Sequence, residues 1–346
     1  MEKLLSLCRH PVPLVPVLNR VTLVSQRFSH STEQQSGIVR KARKYLLNRF
    51  AQFVKGYEKF LEKNFPSAAN VYRVFLFGTR DFYKDMRQYL SLARSVRSKG
   101  KGVKFLNRKE LEIYYRMPGE MIRVAPVLLM STLPFANYVV FPLAYMYPKT
   151  LLSSHFWTLQ QKTEFAIIDL RKRLFNNRPV FRCLQERLRS IKGQELFQDW
   201  ARILSLLGSG VHPEVEEVIK CTPLFEGEPY HISTIYNNHV NGLLRMHGMH
   251  MGFSRRRRLE DRALIIHEMD LAMAREGISG MALDELKWAC FLRGLNPINM
   301  KTEDMVAWLT KWTKISIKLE SKSLSLLLHC PILLAYNHPT NWVLIH

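Results

Sequence analysis

The longest uninterrupted apolar stretch of the chain lies between residues 124 and 147. It reads VAPVLLMSTLPFANYVVFPLAYMY, 24 residues without an Asp, Glu, Lys, Arg or His. About 20 such residues in a helix cross the hydrocarbon core of a bilayer, so the pattern predicts a single transmembrane helix over 124–147. A buried core helix is the alternative. Pro126, Pro134 and Pro142 interrupt the stretch, and a span tolerates prolines only where neighbouring groups satisfy the freed carbonyls.

The rest of the chain has the periodicity of amphipathic helices. Between residues 31 and 123, apolar side chains recur every three or four positions through 42–61 and 71–93, separated by Pro66, and basic residues fill the other faces. These basic helices either lie on an anionic membrane surface or pack on each other as a hairpin. Beyond the apolar stretch, helical periods alternate with glycine and proline breakers, and no useful β-type alternation occurs. The sequence therefore predicts an all-α protein.

The C-terminal third contains an internal repeat. A shift of 46 residues lays Gly248 on Gly294. The apolar pairs that coincide are Val240/Leu286, Leu243/Ala289, Leu244/Cys290, Met246/Leu292, Met249/Leu295, Leu259/Met305, Ala263/Leu309 and Ile266/Trp312. Each copy is predicted to be a helix, a glycine just past its end, an extended loop and a second helix. Chance coincidence of two helical periods is the alternative.

Charge composition indicates the kind of partner. The chain has 51 Lys and Arg against 29 Asp and Glu, a net charge of +22, which favours anionic lipid head groups, RNA or acidic protein surfaces. Residues 1–30 are basic, nearly free of acids and interrupted by prolines. This composition is typical of a mitochondrial presequence, with Arg27-Phe28-Ser29 as the cleavage site after Phe28. A disordered basic tail is the alternative.

Catalytic and metal-binding motifs are missing from the sequence. It has no P-loop, GxGxxG or GxSxG string, and His267 opens a zinc-protease-like HEMDL string that lacks the second histidine. Scattered cysteines without a CxxC pair indicate a reducing compartment; they are Cys8, Cys183, Cys221, Cys290 and Cys330. The histidines His231, His239, His247 and His250 have no acid or cysteine to complete a metal set, so we expect surface or loop positions. The prediction is a protein without enzymatic activity, cofactor or metal.

Arg255–Arg258 is the sharpest candidate binding motif. Four adjacent guanidinium groups can bind phosphates or carboxylates in bidentate fashion, and we place them in the extended loop of the first copy. Glu260 and Asp261 follow directly, so local neutralisation is the alternative. Lys287 and Arg293, on the matching helix of the second copy, complete the predicted partner-binding residues.

Two groups of residues resemble the LETM domain, which belongs to the leucine-zipper/EF-hand transmembrane proteins of the mitochondrial inner membrane. The C-terminal group is Glu276-Gly277, Leu283, Glu285-Leu286, Ala289-Cys290, Arg293-Gly294-Leu295 and Trp308-Leu309. The upstream group is Gly78, Arg80, Asp85, Leu106-Asn107-Arg108-Lys109-Glu110, Arg123, Pro126, Pro134-Phe135, Pro142 and Pro148. The resemblance covers about residues 71–315 and implies a helical, 14-3-3-like ribosome-binding domain, here residues 149–318. No EF-hand loop and no zipper after Trp312 are present, and residues 319–346 stay unassigned.

These observations predict a single-pass protein of the mitochondrial inner membrane with its C-terminal domain in the matrix. That domain would dock the mitochondrial ribosome or inner-membrane assembly proteins and so support mitochondrial structure, respiratory-chain biogenesis and energy metabolism. The charge bias favours the reverse orientation, and an outer-membrane location is the alternative. Two other functions stay open. One is a subunit of a cation/proton exchange system, which needs a homo-oligomer or a partner because the span has no charged residue. The other is a nucleic-acid binder outside mitochondria, since 283–309 resembles SAP-type DNA-binding motifs.

Overall fold

The computed structural model describes residues 66–99, 103–131, 143–144 and 146–345. The helices are α1 (Pro66–Lys99), α2 (Arg108–Ser131), α3 (Pro148–Leu151), α4 (Leu159–Leu174), α5 (Asn177–Arg187), α6 (Phe197–Gly208), α7 (Val215–Lys220), α8 (Asn237–Met246), α9 (Arg255–Glu276), α10 (Leu283–Leu292), α11 (Thr302–Lys318), α12 (Ser325–Ala335) and α13 (Pro339–Ile345). Short 3₁₀ turns occur at Ser154–Phe156, Leu188–Ile191 and Thr222–Phe225. The described residues contain no strand, so the all-α prediction is confirmed. The predicted presequence and the helix at 42–61 lie outside the described residues.

The contacts divide the chain into two units, and the predicted membrane span belongs to the first, which comprises 1–81 and 122–156. Only part of that span is described, chiefly the end of α2. Near that end, the side chains of Ile122 and Leu129 are 73% and 70% exposed. Among the described residues, no helix is both long enough and apolar enough to cross a membrane. The single span therefore stays a prediction.

The second unit, residues 82–121 and 157–346, contains the main hydrophobic core. Trp312 and Leu286 are buried in it, as the repeat pattern predicts. Every residue of α12 is buried too, although the sequence left residues 319–346 unassigned. This helix is apolar on all sides, as expected for an element surrounded by others. Residues 325–335 of this segment are thus part of the core.

The basic helices α1 and α2 form a hairpin where they belong to the second unit. The Tyr89 and Tyr114 rings lie 5.9 Å apart, and Arg116 Nη2 lies 3.5 Å from Asp85 Oδ2. Side chains of both helices pack with α9 and α10 in one cluster, whose buried members are Leu92, Leu106, Leu111, Met269, Ala272 and Leu292. The hairpin predicted from the sequence pairs 71–93 with 42–61, and residues 42–61 lie outside the described part of the chain. Within the second unit, α1 packs on α2.

Both copies of the repeat have the predicted local structure. Helices α8 and α10 each end before a glycine of positive φ, +67° at Gly248 and +88° at Gly294, a conformation that favours glycine. The residue after each glycine closes the helix end by a backbone bond to the fifth carbonyl before it. These bonds are Met249 N–H to Leu244 O (2.8 Å) and Leu295 N–H to Cys290 O (3.0 Å). A loop and a second helix, α9 or α11, then follow. The predicted order of elements is therefore confirmed in both copies.

One arginine ties the two copies together. Arg173 of α4 donates from Nε to the carbonyl of Met246 (2.9 Å) and from Nη2 to that of Leu292 (3.0 Å). Met246 and Leu292 are equivalent in the repeat, so one guanidinium caps the last turns of α8 and α10. Its Nη1 donates to Phe291 O (2.7 Å). Burial lowers the pKa of Arg173 to about 10, so the side chain stays charged at neutral pH and holds both helix ends.

Candidate docking surface

Arg255–Arg258 form the first turn of α9, so their predicted position in an extended loop was wrong. The loop ends at Ser254, whose φ of 53° is left-handed, and the first helical bond runs from Arg258 N–H to Ser254 O (3.0 Å). Arginine is a good helix former, which allows the helix to begin directly after this reversal. No acidic residue lies in the first turn, and no side chain caps it. The arginines are therefore fixed on a rigid element.

Neutral acceptors hold three of the four guanidinium groups. The bonds are Arg255 Nη1 to Asn241 Oδ1 (2.7 Å), Arg256 Nη1 to Ile232 O (2.5 Å) and Ile235 O (2.9 Å), and Arg258 Nη1 to His250 O (2.9 Å). Arg257 is exposed. Within the described part of the chain, no ion pair joins these arginines to Glu260 or Asp261. The local neutralisation considered from the sequence is thus not seen, and the turn keeps its positive charge.

A concavity of about 410 Å³ opens at this turn, lined by Asn237, Val240, Ser254, Arg255, Arg256 and Arg257. The first N–H groups of a helix have no intrahelical acceptor, and the helix macrodipole makes this end positive. Backbone and side chains therefore both favour an anion in the concavity.

Exposed aromatic rings flank the arginines. Phe253, in the loop just before α9, is 96% exposed. Tyr236 is 54% exposed, and the guanidinium of Arg187 lies 3.8 Å from its ring centroid. Arg187 also donates to Thr234 O (2.8 Å). We call Arg187, Tyr236, Phe253 and Arg255–Arg258 together the arginine surface.

The candidate motifs of the sequence did not include Phe253, Tyr236 or Arg187 of this surface. Phe253 was recognisable from its place beside the arginine run. Arg187 and Tyr236 were not, because only the fold brings α5 against the loop before α8.

Arg293, predicted to bind a partner, lies in the core instead. Its side chain is 2% exposed, and Asp270, 0% exposed, accepts from its Nε (2.9 Å) and Nη2 (2.5 Å). Trp312 Nε1 donates to the other carboxylate oxygen of Asp270 (2.9 Å). A buried carboxylate needs such partners, so Arg293 has a structural role. Its prediction as a partner-binding residue was wrong. Lys287 is half-buried on α10, and no bond in the described residues links it to the arginine surface.

Two of the histidines expected at the surface or in loops are buried. His239 Nε2 lies 2.9 Å from His329 Nε2, and His247 Nε2 donates to Leu328 O (2.9 Å). Because His329 Nδ1–H donates to Ser325 O (2.8 Å), its Nε2 is the acceptor and His239 is the donor. Burial lowers the pKa of His329, which lies on α12, to about 4 and the pKa of His247 to about 3. No group of three metal-ligating side chains occurs among the described residues.

Comparison with known proteins supports the resemblance found in the sequence. The family model described as "LETM1-like, RBD" matches residues 106–333, which includes all of α2 and most of α12. The chain is 30% identical over 285 residues to "LETM1 domain-containing protein 1" of Xenopus tropicalis, covering 82% of this chain and 81% of that protein. It is 28% identical to the Homo sapiens protein of the same name, over 307 residues, 87% of this chain and 84% of that one. The chain therefore belongs to the LETM1-like RBD family.

Proposed function

We propose that this protein is a non-enzymatic, membrane-anchored docking factor of the mitochondrial inner membrane. Its helical domain faces the matrix and binds the mitochondrial ribosome through the arginine surface, supporting respiratory-chain biogenesis. Membership of a family described as an RBD supports the ribosome as partner. The uncharged stretch 124–147 supports the anchor.

The observation that carries the proposal is the charge of the first turn of α9. A cation near a helix N-terminus interacts unfavourably with the macrodipole, by about 0.3–1 kcal/mol in exposed positions. Four arginines without an acid in this turn are therefore unfavourable for the helix itself. Fold stability therefore does not account for these arginines, whereas binding of an anionic partner does.

The geometry also favours binding over mere solvation. Arg255, Arg256 and Arg258 are held by amide and carbonyl oxygens, so their side chains lose less freedom when a partner binds. These neutral acceptors leave the charge in place. The result is a preorganised anion-binding surface.

The test is cosedimentation of the full-length chain with purified mitochondrial ribosomes. Arg255→Gln/Arg257→Gln removes two charges but leaves the bonds from Arg256 to the 232–235 loop intact. We expect binding at least about tenfold weaker, because each hydrogen bond to a charged group is worth about 1.5–3 kcal/mol. We also expect a shallower salt dependence.

The matched control is Arg275→Gln, an exposed arginine at the other end of α9, which should bind like the wild type. Normal cosedimentation of the double variant at every salt concentration would exclude the arginine surface as the docking site. No cosedimentation by the wild type would exclude ribosome docking altogether.

A further inference from the structure

We infer that the arginine surface recognises unpaired RNA, with a base stacked on Phe253 and the flanking phosphates bound at the first turn of α9. This inference rests on the proposed function, because it names the part of the ribosome that the domain contacts. It requires two kinds of group close together, exposed aromatic rings and uncompensated cations, and the structure has both.

Phe253 supplies the first stacking platform. A phenylalanine that is 96% exposed contributes almost nothing to the core, and Met251, two residues earlier in the same loop, is 41% exposed. Their apolar surface lies directly before the turn that carries the arginines. Unpaired bases stack on such rings with little dependence on sequence, whereas the bases of a duplex are already stacked on one another.

Tyr236 supplies a second platform on the neighbouring loop. Arg187 stacks on its ring at 3.8 Å, and the residue still has 54% of its surface exposed. Arg256 fixes this loop through the carbonyl of Ile235 (2.9 Å). The Tyr236 ring is therefore held in place before any ligand binds, and the guanidinium of Arg187 also favours stacking.

The charges select a phosphate backbone. The concavity is lined by Arg255, Arg256 and Arg257 at the start of α9. The first N–H groups of a helix have no intrahelical acceptor, and guanidinium groups at such a helix start suit phosphate. An acidic protein segment would satisfy the charge but leaves the exposed ring of Phe253 without a role. Unpaired RNA accounts for both features, and this decides between the two partners.

The test is fluorescence anisotropy of the purified full-length chain with a labelled oligouridylate of about 12 nucleotides, within the range of single-strand binding sites. Phe253→Ala should weaken binding roughly 5- to 150-fold, the equivalent of about 1–3 kcal/mol for one stacked base. Phe253→Tyr should bind with about the wild-type affinity, since tyrosine keeps the aromatic ring. The control is Phe175→Ala. Phe175 is an aromatic residue at the C-terminal end of α4 and is 53% exposed, so this substitution should leave binding unchanged.

The same assay tests the phosphate contacts. Arg257→Gln should reduce the slope of log affinity against log salt concentration by about 0.7, the value for one phosphate contact on a single strand.

The outcomes separate this inference from the proposed function. Absent oligouridylate binding, or equal binding by wild type and Phe253→Ala, overturns the RNA inference. If ribosome cosedimentation still depends on Arg255 and Arg257 in that case, docking stands and the partner is an acidic protein surface, which polyglutamate would compete for. If the oligonucleotide binds as expected but ribosomes do not cosediment, the RNA site stands and the docking proposal fails. Equal affinity for duplex RNA overturns the stacking.

Discussion

Helices α9 and α11 occupy equivalent places in the two copies of the repeat, and their first turns differ in charge. The first turn of α11 contains Glu303 and Asp304, as expected where acids stabilise the positive end of a helix. The first turn of α9 has arginines and no acid. The 46-residue shift places Arg257 at the position of Glu303. One copy thus follows the rule for stable helices, and the other departs from it where a partner would bind.

The loops before these helices differ in a related way. In the second copy, Asn341 of α13 accepts from Asn296 N–H (2.8 Å) and donates to Gly294 O (2.9 Å), so the C-terminal helices cover this loop. In the first copy, the equivalent loop contains the exposed Phe253. Equivalent segments therefore pack into the core in one copy and lie at the surface in the other. The difference between the two loops follows from which elements pack against them.

A third equivalent pair lies just before the two glycines, at His247 and Arg293. His247 is buried and uncharged, and it donates to a carbonyl of α12. Arg293 is buried and charged, and it is paired with Asp270. Both residues anchor a helix end in the core, one through a neutral bond and the other through an ion pair.

The largest effect should come from the ion pair. Arg293→Met leaves the Asp270 carboxylate buried without its cation, and we expect the free energy of unfolding to fall by about 3–5 kcal/mol. Urea denaturation of the full-length chain, followed by tryptophan fluorescence, measures it. Arg293→Met/Asp270→Asn should recover much of the loss, because the amide oxygen still accepts from Trp312 without a charge. Wild-type stability of the single variant would mean that the pair contributes nothing.

The effect of His247, the uncharged residue of this pair, should appear in the pH dependence of the free energy of unfolding. The pKa of His247 is lowered from 6.5 to about 3, first of all by burial. Below pH 6.5 the unfolded chain therefore binds a proton that the folded chain does not, and stability falls as the pH falls towards 3. The loss for this one residue is about 1 kcal/mol at about pH 5.5.

Denaturation of His247→Gln should show a pH dependence reduced by this amount. The substitution also costs stability at every pH if its amide fails to reach Leu328 O, so the comparison uses the slope rather than the absolute value. An unchanged slope between about pH 5 and 6.5 would show that the imidazole is accessible to protons in the folded state.

The sequence predicted whatever depends on local periodicity and missed what depends on burial by distant segments. Gly248, Gly294 and Trp312 were placed correctly, because helix ends and apolar faces recur at fixed spacing. α12 has no polar face and so gave no helical period. The burial of Arg293 depends on Asp270, 23 residues away, and spacing alone did not reveal that pairing. The start of α9 was misplaced because Ser254 adopts a left-handed conformation that serine rarely takes.

The smallest effect, and the sharpest comparison, comes from exchanging charges between the equivalent positions of α9 and α11. Arg257→Glu gives α9 the acid that a helix start favours, so we expect the free energy of unfolding to rise by about 1 kcal/mol. Glu303→Arg should lower it by a similar amount. Docking should respond in the opposite sense, because Arg257→Glu places a negative charge in the concavity while Glu303→Arg leaves it untouched. Denaturation and ribosome cosedimentation of the two full-length variants measure both quantities. A loss of stability in Arg257→Glu would mean that the arginine supports the fold, and the charge of this turn would then need no partner to account for it.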